Sequence, residues 1–107
     1  MALTRDYKET ISERAHNDEQ FAYALFDEAI NLFLNGEPDV ARLVLRDLVN
    51  ATVGFEELAK EIEKPSKSLH RMLSAKGNPT MENLTRIIKV LKQKLSIDFE
   101  VHSVTHA

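Results

Sequence analysis

Apolar residues recur at spacings of three and four along most of the chain, and this pattern predicts helices. Thr4 is a candidate cap for a first helix, which has only a thin apolar stripe. Asn17 or Asp18 is a candidate cap for a second helix, which has a wide apolar face. Gly36 should end the second helix, because glycine accepts the left-handed conformation found after a helix. Pro38 suits the first position of a third helix, which Thr52-Val53-Gly54 should close.

Two short helices and one longer helix are predicted between residues 55 and 94. The apolar spacing over residues 55–62 predicts a helix of about two turns with one apolar face. Pro65 then breaks the helix, because proline removes a backbone donor and disfavours helical geometry at the preceding residue. Helical spacing resumes over 66–74, a turn rich in Gly, Asn and Pro follows, and Thr80 is a candidate cap for the last helix. The fold class expected is all-α, a small helical bundle forming a single domain over residues 1–94.

After residue 94 the apolar period changes to two, which predicts a short β-strand or tail over residues 95–107. A single strand leaves its backbone groups unpaired, and the chain offers no other clear strand. The segment is therefore expected to pair with its own copy across a two-fold axis, burying Ile97 and Phe99 between subunits. Addition to a sheet edge of a toxin and a disordered tail are the alternatives. The dimerisation candidates are Leu95, Ile97, Phe99 and Val101.

Composition narrows the class of protein. The chain has 107 residues, of which 43% are apolar and 29% charged, as expected for one globular domain. The absence of cysteine excludes disulfides, Cys-ligated zinc and thiol nucleophiles. No apolar run approaches the roughly 18 residues of a membrane span, and the charged start does not fit a signal peptide. We therefore expect a cytoplasmic protein with no membrane partner.

Charge is divided unevenly along the chain, although the net charge is only −3. Residues 1–54 carry 5 basic and 10 acidic side chains, whereas residues 55–94 carry 9 basic and 5 acidic ones. Such a division is compatible with a face that binds a polyanion. On charge alone, however, ordinary solvated helix faces are the favoured interpretation.

The spacing of the two short helices fits a DNA-binding helix-turn-helix. That motif needs a small residue where the helices cross, and Ala59 supplies it between the apolar Leu58 and Ile62. Leu69 and Met72 follow at the positions where the second helix must face inward. The residues between them are polar, as a groove-facing surface requires.

These residues carry a resemblance to a known class. Phe55 to Ile62 and Ser66 to Ser74 resemble the lambda-repressor-like helix-turn-helix. The continuation Ala75-Lys76-Gly77-Asn78-Pro79-Thr80 is similar to small regulators described as probable addiction-module antidote proteins. The resemblance covers residues 20–95 and implies an all-helical DNA-binding fold. For some members it also implies an antitoxin role beside a ribosome-dependent or related RNase toxin.

Glu63 departs from that class, in which the turn position is usually a glycine with positive φ. A residue other than glycine there costs roughly 1 kcal/mol, unless the turn is rebuilt around Pro65. The departure also places an acid near the DNA side, which should lower affinity.

The second short helix is expected to enter the major groove of DNA. Lys67 and Arg71 lie four residues apart, hence on one face, and an arginine pairs bidentately with guanine O6 and N7. The base-reading candidates are Ser66, Lys67, Ser68, His70 and Arg71. The candidates for phosphate contacts are Lys64, Lys76, Arg86 and Lys89. The alternative interpretation is a small helical bundle with surface lysines.

Three functions follow from these observations. The first is a DNA-binding transcriptional regulator, a repressor, that binds double-stranded DNA with an inverted repeat as a homodimer. The second is an antitoxin that sequesters a toxin and autoregulates its operon, and the third is a protein-interaction module without DNA binding. No catalytic motif, cofactor site or metal site is expected. His102 and His106 are four apart but lie in a polar tail, and the glycines are too scattered for a phosphate loop.

Overall fold

The computed structural model describes residues 19–106, and this part of the chain contains five helices and no β-strand. The helices are α1 (Glu19–Leu34), α2 (Pro38–Ala51), α3 (Phe55–Ile62), α4 (Ser66–Met72) and α5 (Met81–Leu95). The all-α prediction is thus confirmed for these residues. The helix predicted to begin at Thr4 and the predicted caps Asn17 and Asp18 lie outside the described residues.

Several helix ends follow local sequence signals. After α1, Gly36 adopts φ 85° and the Glu37 backbone N–H donates to the Leu32 carbonyl over 2.8 Å. Pro38 opens α2, where its missing N–H costs nothing. The Thr80 hydroxyl oxygen accepts from the Asn83 backbone N–H at 3.1 Å, which caps α5 as predicted.

One continuous core joins all five helices. Helix α1 packs along α2, and α3 packs against α2, α4 and α5. The central side chains are fully buried and come from every helix, for example Phe26, Leu45, Leu58, Leu69 and Leu91. Burying each such side chain contributes roughly 1.5–3 kcal/mol, so packing rather than intrinsic helix propensity fixes the short helices α3 and α4.

The C-terminal segment, residues 97–106, runs extended without forming a strand. Ser96 turns the chain with φ 55° at the end of α5, and the Ile97 backbone N–H donates to the Lys92 carbonyl at 3.2 Å. Ile97 and Phe99 then pack against the core of their own chain. The Phe99 ring meets Phe26 edge-on with centroids 4.7 Å apart.

This arrangement changes the interpretation of the four dimerisation candidates. Leu95 belongs to α5, and Leu95, Ile97 and Phe99 are half-buried against the core of the same chain. Their inner faces are therefore covered without a second subunit. Val101, in contrast, remains 66% exposed.

None of the described helices combines the length and the apolar content that crossing a membrane requires.

Candidate nucleic-acid interface

Helix α4 has one face in the core and one in solvent. Leu69 is fully buried, Leu73 is buried just beyond the helix, and Met72 packs partly against the same core. The base-reading candidates on the remaining surface are half-buried (Ser66, Ser68) or exposed (Lys67, His70, Arg71). Lys67 and Arg71 share one exposed face, because residues four apart lie one above the other on a helix.

The break between α3 and α4 is a left-handed turn at Glu63, with φ 55° and ψ 48°. The Lys64 backbone N–H closes the turn by donating to the Ala59 carbonyl at 3.1 Å. Pro65 has ordinary extended angles, φ −61° and ψ 139°, and its carbonyl accepts from the Ser68 backbone N–H at 3.0 Å. The turn is therefore not rebuilt around Pro65. Glu63 occupies the left-handed position that the class usually gives to glycine.

Arg86 of α5 stabilises this turn by a hydrogen bond to the residue just before it. Its guanidinium Nη2 donates to the Ile62 carbonyl at 2.8 Å, at the C-terminal end of α3. A cation is favoured there, because the last carbonyls of a helix lack intrahelical partners and carry partial negative charge. Arg86 and Lys89 also line a shallow cavity of about 250 Å³ beside Glu61. Arg86, predicted as a phosphate contact, thus has a structural bond as well.

Arg42 from α2 secures the other end of the helix pair, and sequence reasoning missed it. Its Nε donates to the Ser74 carbonyl at 3.0 Å, and its Nη2 donates to the Ala75 carbonyl at 2.8 Å. These bonds fix the residues that follow α4. No local signal in the sequence indicates them, because the partners are 32 and 33 positions away.

Gly77 is required where the chain leaves α4. A Cβ at this position would collide with the backbone carbonyl oxygens of Arg71 and Met72. The Gly77 backbone N–H donates to the Ser74 carbonyl at 3.0 Å, which draws the loop tightly against the end of the helix. The Gly-Asn-Pro turn predicted from composition therefore has a steric requirement for its glycine.

His70 lies on the side of α4 that faces the start of α3. Its ring stacks on Phe55, with centroids 3.9 Å apart and planes 18° apart. The side chain is nevertheless exposed overall. The stack holds the imidazole close to the N-terminus of α3. Because His70 and Arg71 are consecutive, the His70 side chain is rotated around α4 away from the face that carries Lys67 and Arg71.

Ion pairing separates the basic side chains into two groups. Lys92 pairs with Asp98 at 2.9 Å, and Lys94 pairs with Glu57 at 3.4 Å. Within residues 19–106, no ion pair involves the exposed cations among the predicted DNA contacts, which are Lys67, Arg71, Lys76 and Lys89. The remaining phosphate candidate, Lys64, is half-buried in the turn. The structure thus offers unpaired positive charge on and around α4.

Comparison with models of protein families, with curated proteins and with solved structures finds no match to this chain.

Proposed function

We propose that the protein is a sequence-specific DNA-binding transcriptional regulator, acting as a repressor, in which α3 and α4 form a lambda-repressor-like helix-turn-helix. The observation that carries the proposal is the exposed face of α4. Lys67 and Arg71 lie on it without an acidic partner among the described residues, while Leu69 anchors the opposite face in the core. A short, rigidly placed cationic helix is suited to insertion into the major groove.

Each group then has a separate task. Arg71 pairs with guanine through two parallel N–H donors, and Lys67, Ser66 and Ser68 contact neighbouring base edges or phosphates. Lys76 and Lys89 neutralise phosphates on either side and set the register without reading sequence. His70, whose ring lies on Phe55, contributes an N–H donor at the edge of this surface.

The acidic half of the chain is compatible with this role. In the proposed complex, the exposed carboxylates of α1 and α2 are directed away from bound DNA. Binding should still weaken steeply with salt despite a pI near 5.8, since each neutralised phosphate releases a counterion.

A gel-shift titration on DNA from upstream of the protein's own gene tests the proposal. Arg71→Ala should weaken binding to the specific site by roughly 1–3 kcal/mol and relax the preference at one base position. Lys89→Ala should weaken binding to all sequences about equally. Lys94→Ala is the matched control, because Lys94 is already paired with Glu57 and should change binding little. If Arg71→Ala binds like the unmodified protein, or binding is insensitive to salt, the proposal fails.

The antitoxin function rests on the resemblance of residues 55–80 to antidote proteins. It is compatible with DNA binding, since an antitoxin also represses its own operon. Co-purification with the product of a neighbouring small reading frame distinguishes it from a regulator that acts alone.

A further inference from the structure

The C-terminal segment presents backbone groups that nothing in the described chain satisfies. Beyond the Ile97 amide, no backbone hydrogen bond of residues 98–106 is formed with any part of residues 19–106. The segment is nevertheless ordered into an extended path by Phe99, whose ring lies against Phe26. An extended stretch with an open edge is a template for pairing with another strand.

A groove runs beside this edge. It has a volume of about 360 Å³ and lies between α1 and residues 99–102. Its apolar lining includes Ile30, Leu34 and Val101, of which Leu34 is 61% and Val101 66% exposed. A second strand added to the segment on this side would cover both side chains.

We infer that the occupant is the same segment of a second copy, paired antiparallel across a two-fold axis that passes through Val101. In this register Val101 faces its own counterpart, and Glu100 of each copy lies opposite His102 of the other. Phe99 lies opposite Ser103, and Ile97 opposite Thr105. Both cores then lie on the same face of the two-stranded ribbon, where the groove is.

Charge selects this register over its neighbours. An axis through Glu100 would place two carboxylates directly opposite each other, and an axis through His102 would place two imidazoles opposite each other. A register that pairs odd-numbered with even-numbered residues has no two-fold axis, because the two cores would then lie on opposite faces of the ribbon. Of these registers, the axis through Val101 sets Glu100 against an N–H donor of His102 in both halves and brings no two like polar groups directly opposite each other.

Glu100 and His102 are available for this pairing. Their side chains are 90% and 81% exposed, and His102 Nε2 lies 3.9 Å from Glu100 Oε2 in the same chain, beyond hydrogen-bond distance. Across an antiparallel pair, directly opposite residues approach more closely and form charge-assisted contacts. The two pairs, related by symmetry, favour self-association over pairing with an unrelated strand.

This dimer does not depend on DNA binding, and its test uses no DNA. Its consequence for the proposed function is that two copies of α4 would be presented symmetrically, as an inverted repeat requires.

The absence of cysteine makes a clean cross-linking test possible. Residues facing each other in an antiparallel pair have Cα atoms about 4.5–5.5 Å apart, within the range of about 4.4–6.8 Å that a disulfide spans. Val101→Cys should therefore form a covalent dimer under mild oxidation, seen on a non-reducing gel. Val104→Cys is the matched control: Val104 is more exposed, at 88%, but its counterpart would lie about 20 Å away along the ribbon. No cross-link at Val101, or equal cross-linking at Val104, overturns the inference.

A charge exchange tests the register independently, by sedimentation of the full chain. Glu100→Lys and His102→Glu should each weaken the dimer about three- to tenfold, because like charges or mismatched groups then face each other. The double variant Glu100→Lys/His102→Glu should recover the dimer. Deletion of residues 101–107 should abolish it while the helical core stays folded, since Ile97 and Phe99 are retained. A monomer at all concentrations, a dimer that survives this deletion, or a double variant no better than the single ones overturns the inference.

Discussion

Replacing Glu63 tests whether the turn between α3 and α4 stores backbone strain. Glu63 adopts φ 55° and ψ 48°, a conformation that destabilises a residue with a side chain by about 1–2 kcal/mol. Glycine has no steric strain in this conformation, but its larger loss of conformational entropy on folding is unfavourable by about 0.5–1 kcal/mol. Glu63 is exposed and makes no side-chain hydrogen bond or ion pair within residues 19–106, so little else is lost. Relief of the backbone strain in Glu63→Gly should thus stabilise the fold by about 0.5–1 kcal/mol.

The negative charge of Glu63 affects the stability of the fold separately from the backbone strain, so a control variant must measure its contribution. Glu63 lies at the C-terminal end of α3, where a negative charge is unfavourable by about 0.3–1 kcal/mol when exposed. Glu63→Gln removes the charge and keeps the strained side chain. Glu63→Asn removes the charge and introduces a residue that tolerates the left-handed region better. We expect stability to increase from the unmodified protein to Gln, and further to Asn and Gly.

Urea unfolding and thermal melts measure the difference. For a domain of this size, 1 kcal/mol shifts Tm by roughly 4–8 °C, so Glu63→Gly should melt about 2–8 °C higher than Glu63→Gln, which shares the loss of charge. Under the proposed function, the Gly and Gln variants should also bind DNA more tightly than the unmodified protein, and by similar factors, since both remove the same acid. A Gly variant no more stable than the Gln variant would show that the turn is unstrained and refute the reasoning.

Two further substitutions test the contacts at the end of α4. Gly77→Ala should destabilise the fold by at least about 1 kcal/mol in urea unfolding, because its Cβ collides with backbone oxygens that cannot move independently. The neighbouring Asn78→Ala should stay within about 0.5 kcal/mol, and equal losses would contradict the steric argument. Arg42→Ala should cost about 1.5–3 kcal/mol by removing two charge-assisted bonds to the Ser74 and Ala75 carbonyls. Arg46→Ala, one turn along α2, should cost clearly less, and a larger loss there would mean that the carbonyl contacts contribute little.

The fold was predictable where the signals are local. Pro38 and Thr80 begin helices because a missing donor and a capping hydroxyl act within one turn. Gly36 ends α1 for an equally local reason. Glu63 was identified as an unusual occupant of a left-handed position, and the structure places it in that conformation.

The end of α5 was less predictable, because Leu95 fits two patterns. It lies four residues after Leu91, which continues a helical face, and two before Ile97, which begins an alternating one. The helix extends through Leu95, and Ser96 then takes the left-handed turn that glycine usually provides. Alternation in the sequence showed that Ile97 and Phe99 share a face, but it did not show that this face would lie on their own core.

Long-range contacts were the part of the site that the sequence did not reveal. Helices α3 and α4, with 8 and 7 residues, are too short to persist alone. Two arginines from other helices donate hydrogen bonds at their C-terminal ends. Arg86 of α5 donates to the Ile62 carbonyl, and Arg42 of α2 donates to the Ser74 carbonyl just after α4. The geometry of the proposed interface is therefore set partly by residues that never need to touch DNA. It follows that α2, which belongs to the acidic half of the chain, determines through Arg42 how α4 would be presented to DNA in the proposed complex.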